Sequence, residues 1–278
     1  MMVGDVGYGV VLGIVTFIFI KVFKPKGGTL QLAKILCLSS ISTILWGVFF
    51  NSYFGFSLPF YKPIVGIMDD PIKLLALSIA VGALHIITGL VMKIVKDCKK
   101  HEFQEMLGKD LSWILVIVGI GLLAVSLAVP SFNKWIGIIT ALVGVALVIL
   151  FAGHASKNIF ARGAMGIAGL YDATSFLGDI LSYSRVMALV MSSAAVASVM
   201  NVLAGMVAGS VVGYIAAALI FVVGHVFNLA LGLLSAYVHD CRLQYIEFYG
   251  KFYEGGGKQF KPLTTKTKYN NDIKIKEI

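Results

Sequence analysis

Charge is what this chain has least of. Of its 278 residues only 13% are Asp, Glu, Lys or Arg, while 58% are hydrophobic, and the mean hydropathy is +0.90. A soluble domain carries roughly twice that share of charge. The shortage excludes an ordinary water-soluble domain, and excludes disorder more firmly still. Cysteine is scarce as well: Cys37, Cys98 and Cys241 show no CxxC spacing and no even framework. Neither a zinc site nor a set of disulfide staples is indicated, and reduced structural thiols are expected. Phosphate-binding signatures are missing too. There is no GxxxxGK[ST] loop and no GxGxxG opening a βαβ unit, so no ATP site and no nucleotide cofactor is expected. No Ser/His/Asp spacing suggests an intramembrane hydrolase. The opening MMVGDVGYG has neither a basic stretch nor a cleavage site, so it does not read as a signal peptide.

What is present is long apolar sequence. Seven continuous runs are bounded by charges or Gly/Pro: about Tyr8–Phe23, Ala33–Phe50, Ile72–Val95, Leu111–Val129, Trp135–Phe151, Ala173–Val207 and Val211–Tyr245. They are continuous rather than alternating, which rules out a membrane barrel and predicts an all-α polytopic membrane helical bundle. Basic residues then set the expected orientation. Nineteen of the 23 fall in the first and third loops, at Lys157 and Arg162, at Arg242 and in the tail from Lys251 to Lys276. Only Lys62, Lys73 and Lys134 fall on the other side. The positive-inside rule places the C-terminus in the cytoplasm and residue 1 outside. The net charge of +9 thus reads as a topological signal rather than a nucleic-acid footprint.

The last two runs differ from the other five. Each is about 35 residues, roughly 50 Å of helix, against a hydrocarbon core about 30 Å thick. They carry nearly all the intramembrane polar groups. The expected organisation is a five-helix apolar body over residues 1–172, a polar two-helix hairpin over 173–248 and a basic cytoplasmic tail over 249–278. Gly163, Gly166 and Gly169, just before the sixth run, read as a loop or close-packing turn rather than a phosphate cradle. The sixth and seventh runs have no central proline.

One basic residue, Arg185, is left inside a span. An arginine at a helix centre costs about 2.5–3.5 kcal/mol on insertion scales, and guanidinium cannot escape by losing its proton. It needs a partner, a wet cavity or a function; a snorkelling or interhelix-bonded arginine is the plainer alternative. Ser182 and Ser192 share its face and are candidate hydrogen-bond neighbours, whereas Asp179 need not pair with it. On the seventh run His225, Asn228, Ser235, His239 and Arg242 are spaced 3, 7, 4 and 3 apart. They form one stripe on one helix face, with Gln244 and Glu247 just beyond. Such a stripe reads as lining for water or ions, against the plainer reading of interhelix hydrogen bonds. The two histidines are too far apart, with no carboxylate cluster, to suggest a metal site.

Several segments carry a family resemblance. Met-Val-Gly-Asp-Val-Gly-Tyr-Gly at residues 2 to 9 is similar to an FGDxGYG turn. Leu177 to Leu189 is similar to LGDxLSYxRLxAL. His239 to Phe248 is similar to HxxRLxxxEF, and the segment from Lys251 to Pro262 to KFYxGxGxxFxPF. Together they resemble the membrane half of subunit I, or subunit a, of the V/A-type rotary ATPases.

The resemblance implies a non-catalytic stator subunit whose two long tilted helices face a rotating ring of proteolipid subunits. Two offset half-channels for H⁺ or Na⁺ would reach the ring's carboxylates. Arg185 would be the essential arginine between them and Arg242 a second one. His239 and Glu247 would line the cytoplasmic half-channel, with Ser182, Ser235, Asn228 and His225 as further path residues. Other stalk subunits and the lipid bilayer are the remaining implied partners. The family has eight membrane helices and a large N-terminal arm, so this chain is expected to lack the arm and the first helix. Some members carry His where this chain has Ser193 and Glu where it has Gly232, which leaves the outer half-channel and the ion undefined. The competing expectation is an independent transporter or channel using the stripe. No internal repeat supports it.

Overall fold

The computed structural model describes residues 1–60, 63, 65–100, 106–128, 133–152, 159–253, 255–257 and 260. Lys62, Lys157 and the tail lysines beyond Lys251 lie outside the described residues, so most of the expected basic tail does too. Eight long helices follow in order: α1 Val6–Phe23, α2 Gly28–Phe50, α3 Pro71–Lys100, α4 Ser112–Ala128, α5 Lys134–Ala152, α6 Ile159–Ser182, α7 Ser184–Val207 and α8 Val211–Arg242. A π-helical turn, Met106–Leu111, leads into α4. A second, Leu243–Phe248, continues α8 into the single-turn α9, Tyr249–Phe252. No β-strand occurs among the described residues.

Five helical stretches are long and apolar enough to cross a membrane, and two shorter apolar helices, Ser112–Ser126 and Lys134–Ile149, bring the number to seven among the described residues. The fold is the polytopic helical bundle that the apolar runs predict. Its surface is lipid-like: Ile72, Val211, Val212, Ile215, Leu219 and Val222 all stand exposed. Each such side chain would cost about 1.5–3 kcal/mol to leave in water, a penalty that hydrocarbon removes.

Without a hydrophobic force between helices, close approach of small residues must hold them. The pairs α1/α2, α4/α5 and α7/α8 are the most extensive contacts. A side chain at Gly119 on α4 would overlap the backbone of Ala141 on α5. The helix ends are also specified locally. Asp5 caps α1, accepting from the Tyr8 amide at 3.1 Å. Ser210 caps α8, accepting from the Gly213 amide at 3.1 Å. Asp5 does more than cap: its buried carboxylate also accepts from the Ser52 hydroxyl at 2.6 Å and the amides of Phe54 and Gly55 at 3.0 and 3.1 Å. The GDxGY turn is thereby bolted to the loop after α2.

α3 is the hub. It touches α4, α6, α7, α9 and both π turns. Its Ile86 and Leu90 join Trp113, Tyr183, Val186 and Leu243 in the largest buried cluster, and Met1 and Met2 pack on it.

The sixth run departs from expectation in two ways. Helix α6 begins at Ile159, so the Gly163, Gly166, Gly169 triplet is helical and not a loop. Glycine costs a helix only about 1 kcal/mol per residue, so three of them weaken α6 without ending it. The run is also not one unbroken helix. At Tyr183 it tightens, with the Tyr183 amide donating to Ile180 O at 3.1 Å and the Val186 amide to Tyr183 O at 3.0 Å. These are i→i+3 bonds, a short break made without proline.

Candidate functional site

The polar residues of the last two long helices separate into two groups. The first lies around Tyr8. The Tyr8 hydroxyl is 2.7 Å from His225 Nδ1. Asn228 donates through Nδ2 to Tyr8 Oη and to Ser193 O, both at 2.9 Å. His225 Nε2 lies 3.0 Å from Asn201 Oδ1, while the Asn201 amide donates to Phe54 O at 2.8 Å. That last bond orients the amide, so Asn201 Oδ1 must accept and His225 carries its proton on Nε2. Nδ1 then accepts from Tyr8. Every polar atom of the His225 ring is satisfied. His225 and Asn228 are both 5% exposed. The stripe reading offered a pathway or interhelix bonds at these two positions, and what the structure brings together is a closed set of interhelix bonds.

The second group surrounds the break and the π turn. Arg185 is half-buried, two residues past Tyr183. Among the described residues its Nη1 is buried with no hydrogen-bond partner, and so are His239 Nδ1 and Glu247 Oε2. Glu247 is 2% exposed. Its other oxygen is 4.0 Å from Nε of Arg242, whose side chain is largely exposed. The two residues are five apart, a spacing that an α-helix sends to different faces. The π turn from Leu243 brings them to the same side. Such turns concentrate at functional positions.

The remaining predicted residues are less engaged. Ser182 donates to Gly178 O of its own helix at 2.9 Å. Ser192 is exposed. Ser235 is half-buried on the stripe. Ser193 and Gly232 face one another across α7 and α8: a Cβ on Gly232 would lie 3.9 Å from Ser193 Oγ. Asp179 is bonded to Lys251, whose ammonium also sits 4.1 Å over the Phe176 ring. That pair ties the turn after α8 to α6. Lys96 reinforces it through a bond to Phe252 O at 3.3 Å.

Sequence reasoning missed two participants. Tyr8 was read only as part of a turn, although it is the centre of the first group. His85 on α3 was not singled out at all, yet its Nδ1 is 2.6 Å from Tyr183 Oη. Its ring stacks on Phe248 with centroids 4.3 Å apart and planes 10° from parallel. A lone histidine in an otherwise apolar span was the available signal. Outside the spans, Asp110 pairs with Lys93 at 2.7 Å. Burial pushes the Asp110 carboxyl up to about 6, opposed by the Lys93 ammonium. No group of three or more His, Cys, Asp or Glu able to hold a metal occurs among the described residues.

A lipid-exposed bundle with buried, unpartnered polar atoms on its two longest runs is an integral membrane protein with a polar intramembrane site. Residues 177–265, which contain that site, match the model of the V-type ATPase 116kDa subunit family. Relatives are similar over nearly the whole chain. An A-type ATP synthase subunit I of Pyrococcus horikoshii is 33% identical over 277 residues, covering 95% of this chain and 41% of its own length. One of Methanocaldococcus jannaschii is 31% identical, covering 97% and 43%. A V-type ATP synthase subunit I of Borreliella burgdorferi is 26% identical, covering 89% and 44%. Residues 177–265 thus match that family, and nearly the whole chain is similar to subunits I of A-type ATP synthases. It spans about two fifths of the length of the curated relatives it matches.

Proposed function

We propose that this chain is a subunit of a rotary V/A-type ATPase or ATP synthase, and that within it the chain is a non-catalytic stator forming the ion half-channels against a ring of proteolipid subunits. The carrying observation is that, of the four buried side-chain polar atoms without partners among the described residues, three lie on Arg185, His239 and Glu247, inside the segment that matches the family; the fourth, Asp110 Oδ2, lies outside it. A buried donor or acceptor left unmet costs about 1–3 kcal/mol, more when charged. Such a cost persists where a partner arrives from outside the chain.

A carboxylate on the passing ring is that partner for Arg185. The fixed guanidinium charge favours the ionised carboxylate and displaces its H⁺ or Na⁺. The same charge repels cations and blocks a direct leak between the half-channels. Glu247, His239 and Ser235 line the cytoplasmic half-channel, and Arg242 steadies Glu247 at its mouth. His225, with both ring nitrogens bonded, and Asn228, with its amide nitrogen bonded twice, brace the hairpin beyond it. In this reading the C-terminus is cytoplasmic, residue 1 lies toward the outer side, and other ATPase subunits complete the assembly.

The test is Arg185→Ala in the complete complex. ATP-driven ion uptake into membrane vesicles should fall to background while the subunits still co-purify. Normal coupled pumping sinks the proposal. Ion flux through the purified chain alone in liposomes points instead to an independent transporter.

A further inference from the structure

We infer that His85 on α3 is a positioning residue that sets Arg185 against Glu247, acting through Tyr183 and Phe248. The inference rests on the rotary reading above and adds an element that neither long run contains. Helix breaks need a cause, and the one before Arg185 has no proline to supply it. Its geometry is instead dictated by where the Tyr183 side chain is held. That side chain is 3% exposed, and three features of α3 seat it.

Gly82 is the first: an added Cβ there would come within 2.4 Å of the Tyr183 ring, so the ring lies directly on the α3 backbone. His85 is the second, with Nδ1 2.6 Å from the Tyr183 hydroxyl and rings edge-to-face at 5.9 Å. The third is that the same imidazole stacks on Phe248, the residue after Glu247. Gly89, one further turn along the same face, leaves room for Phe248, since its Cβ would lie 3.3 Å from that ring.

Residues 82, 85 and 89 are spaced three and four apart, so they form one face of α3. One short stretch of helix therefore grips both the break that starts α7 at Ser184 and the π turn that turns Glu247 inward. The distance between the arginine and the carboxylate is set by α3 rather than by the hairpin that carries them. A displacement of one ångström at such a site is enough to impair function, and rotamers locked by neighbouring groups are the usual means of preventing it.

The experiment uses the complete ATPase complex in membrane vesicles, with ions taken up per ATP hydrolysed and passive ion leak measured together. Tyr183→Phe keeps the ring on Gly82 and removes only the hydroxyl. His85→Phe keeps the stack on Phe248 and removes only the bond. Each should lower the coupling ratio about fivefold, the factor that one neutral hydrogen bond carries, and should raise the leak. The double variant should lower it by the same factor and not by the product. His85→Asn, which places an amide near the position of Nδ1, should restore at least half of the loss; a role in folding alone predicts no such rescue of coupling in complexes that have already assembled. Wild-type coupling in Tyr183→Phe overturns the inference, as does an Asn variant no better than the Phe variant. If His85→Phe fails to assemble, Tyr183→Phe decides alone. Arg185→Ala runs in parallel. If it pumps normally the rotary reading falls; if it is dead while the Tyr183 and His85 variants are normal, only the positioning inference falls.

Discussion

The two polar groups on the α7–α8 hairpin have similar residue types and opposite bookkeeping. Around Tyr8, every polar atom of the His225 ring and the Asn228 amide nitrogen is bonded within the chain. Around the break and the π turn, atoms of Arg185, His239 and Glu247 are buried and unmet. A satisfied network rigidifies, whereas an unsatisfied one is expensive unless something outside completes it. Periodicity cannot separate the two, because His225, Asn228, His239 and Arg242 lie on one stripe. What separates them is which neighbour reaches each residue.

The contrast can be broken by substitution, and the largest effect is expected at Arg185. Arg185→Ala should abolish ion pumping while thermal stability holds or rises, because it removes a half-buried charge whose Nη1 is buried without a partner. Melting curves and vesicle uptake on the same preparation check both halves. Glu247→Gln comes next, with pumping reduced about tenfold, the factor of ~1.4 kcal/mol, and little change in melting temperature. A stability loss without a transport loss would move Glu247 into the bracing group.

Tyr8→Phe is the converse. It strips His225 Nδ1 of its donor, so stability should drop by about 1–3 kcal/mol while the turnover of assembled complexes is kept. Glycines sharpen the contrast further. Gly82→Ala drives a methyl into the Tyr183 ring and should destabilise by about 1–3 kcal/mol. Gly232→Ala meets only Ser193 Oγ at 3.9 Å and should stay within about 0.5 kcal/mol.

A pH-dependent effect concerns Asp110, a polar site outside both groups. Its carboxyl is raised from 3.8 to about 6, so the stability it contributes is present below about pH 4 and is lost as pH rises through 6. Asp110→Asn should flatten the melting temperature between those values, measured on the detergent-purified protein.

Much of the architecture was legible in the residues. The seven apolar runs correspond to seven apolar helices because lipid permits only helices or closed barrels, and the runs do not alternate. Arg185 stood out because an arginine inside a span must be explained. The Gly163–Gly169 segment was misread because glycine weakens a helix without necessarily ending it. The break at Tyr183 was not read, since the serines on either side, one of them bonded back to Gly178 O, bend a helix only slightly. It depends on Gly82 and His85, about a hundred residues earlier. Glu247 was placed beyond the stripe, but not on the side of Arg242, because the π turn is not a local preference of Leu-Gln-Tyr-Ile-Glu-Phe.

By itself the sequence determined the class of the protein, the number of apolar helices, and the presence of a charge that hydrocarbon does not tolerate alone. Those properties follow from transfer free energies summed along the chain, and they need no knowledge of neighbours. Only the tertiary structure decided which polar residues are bonded and which are left unmet. Hydrogen bonding is settled at about 3 Å between groups such as Tyr8 and His225 that lie 217 positions apart, and sequence separation carries no record of such a distance.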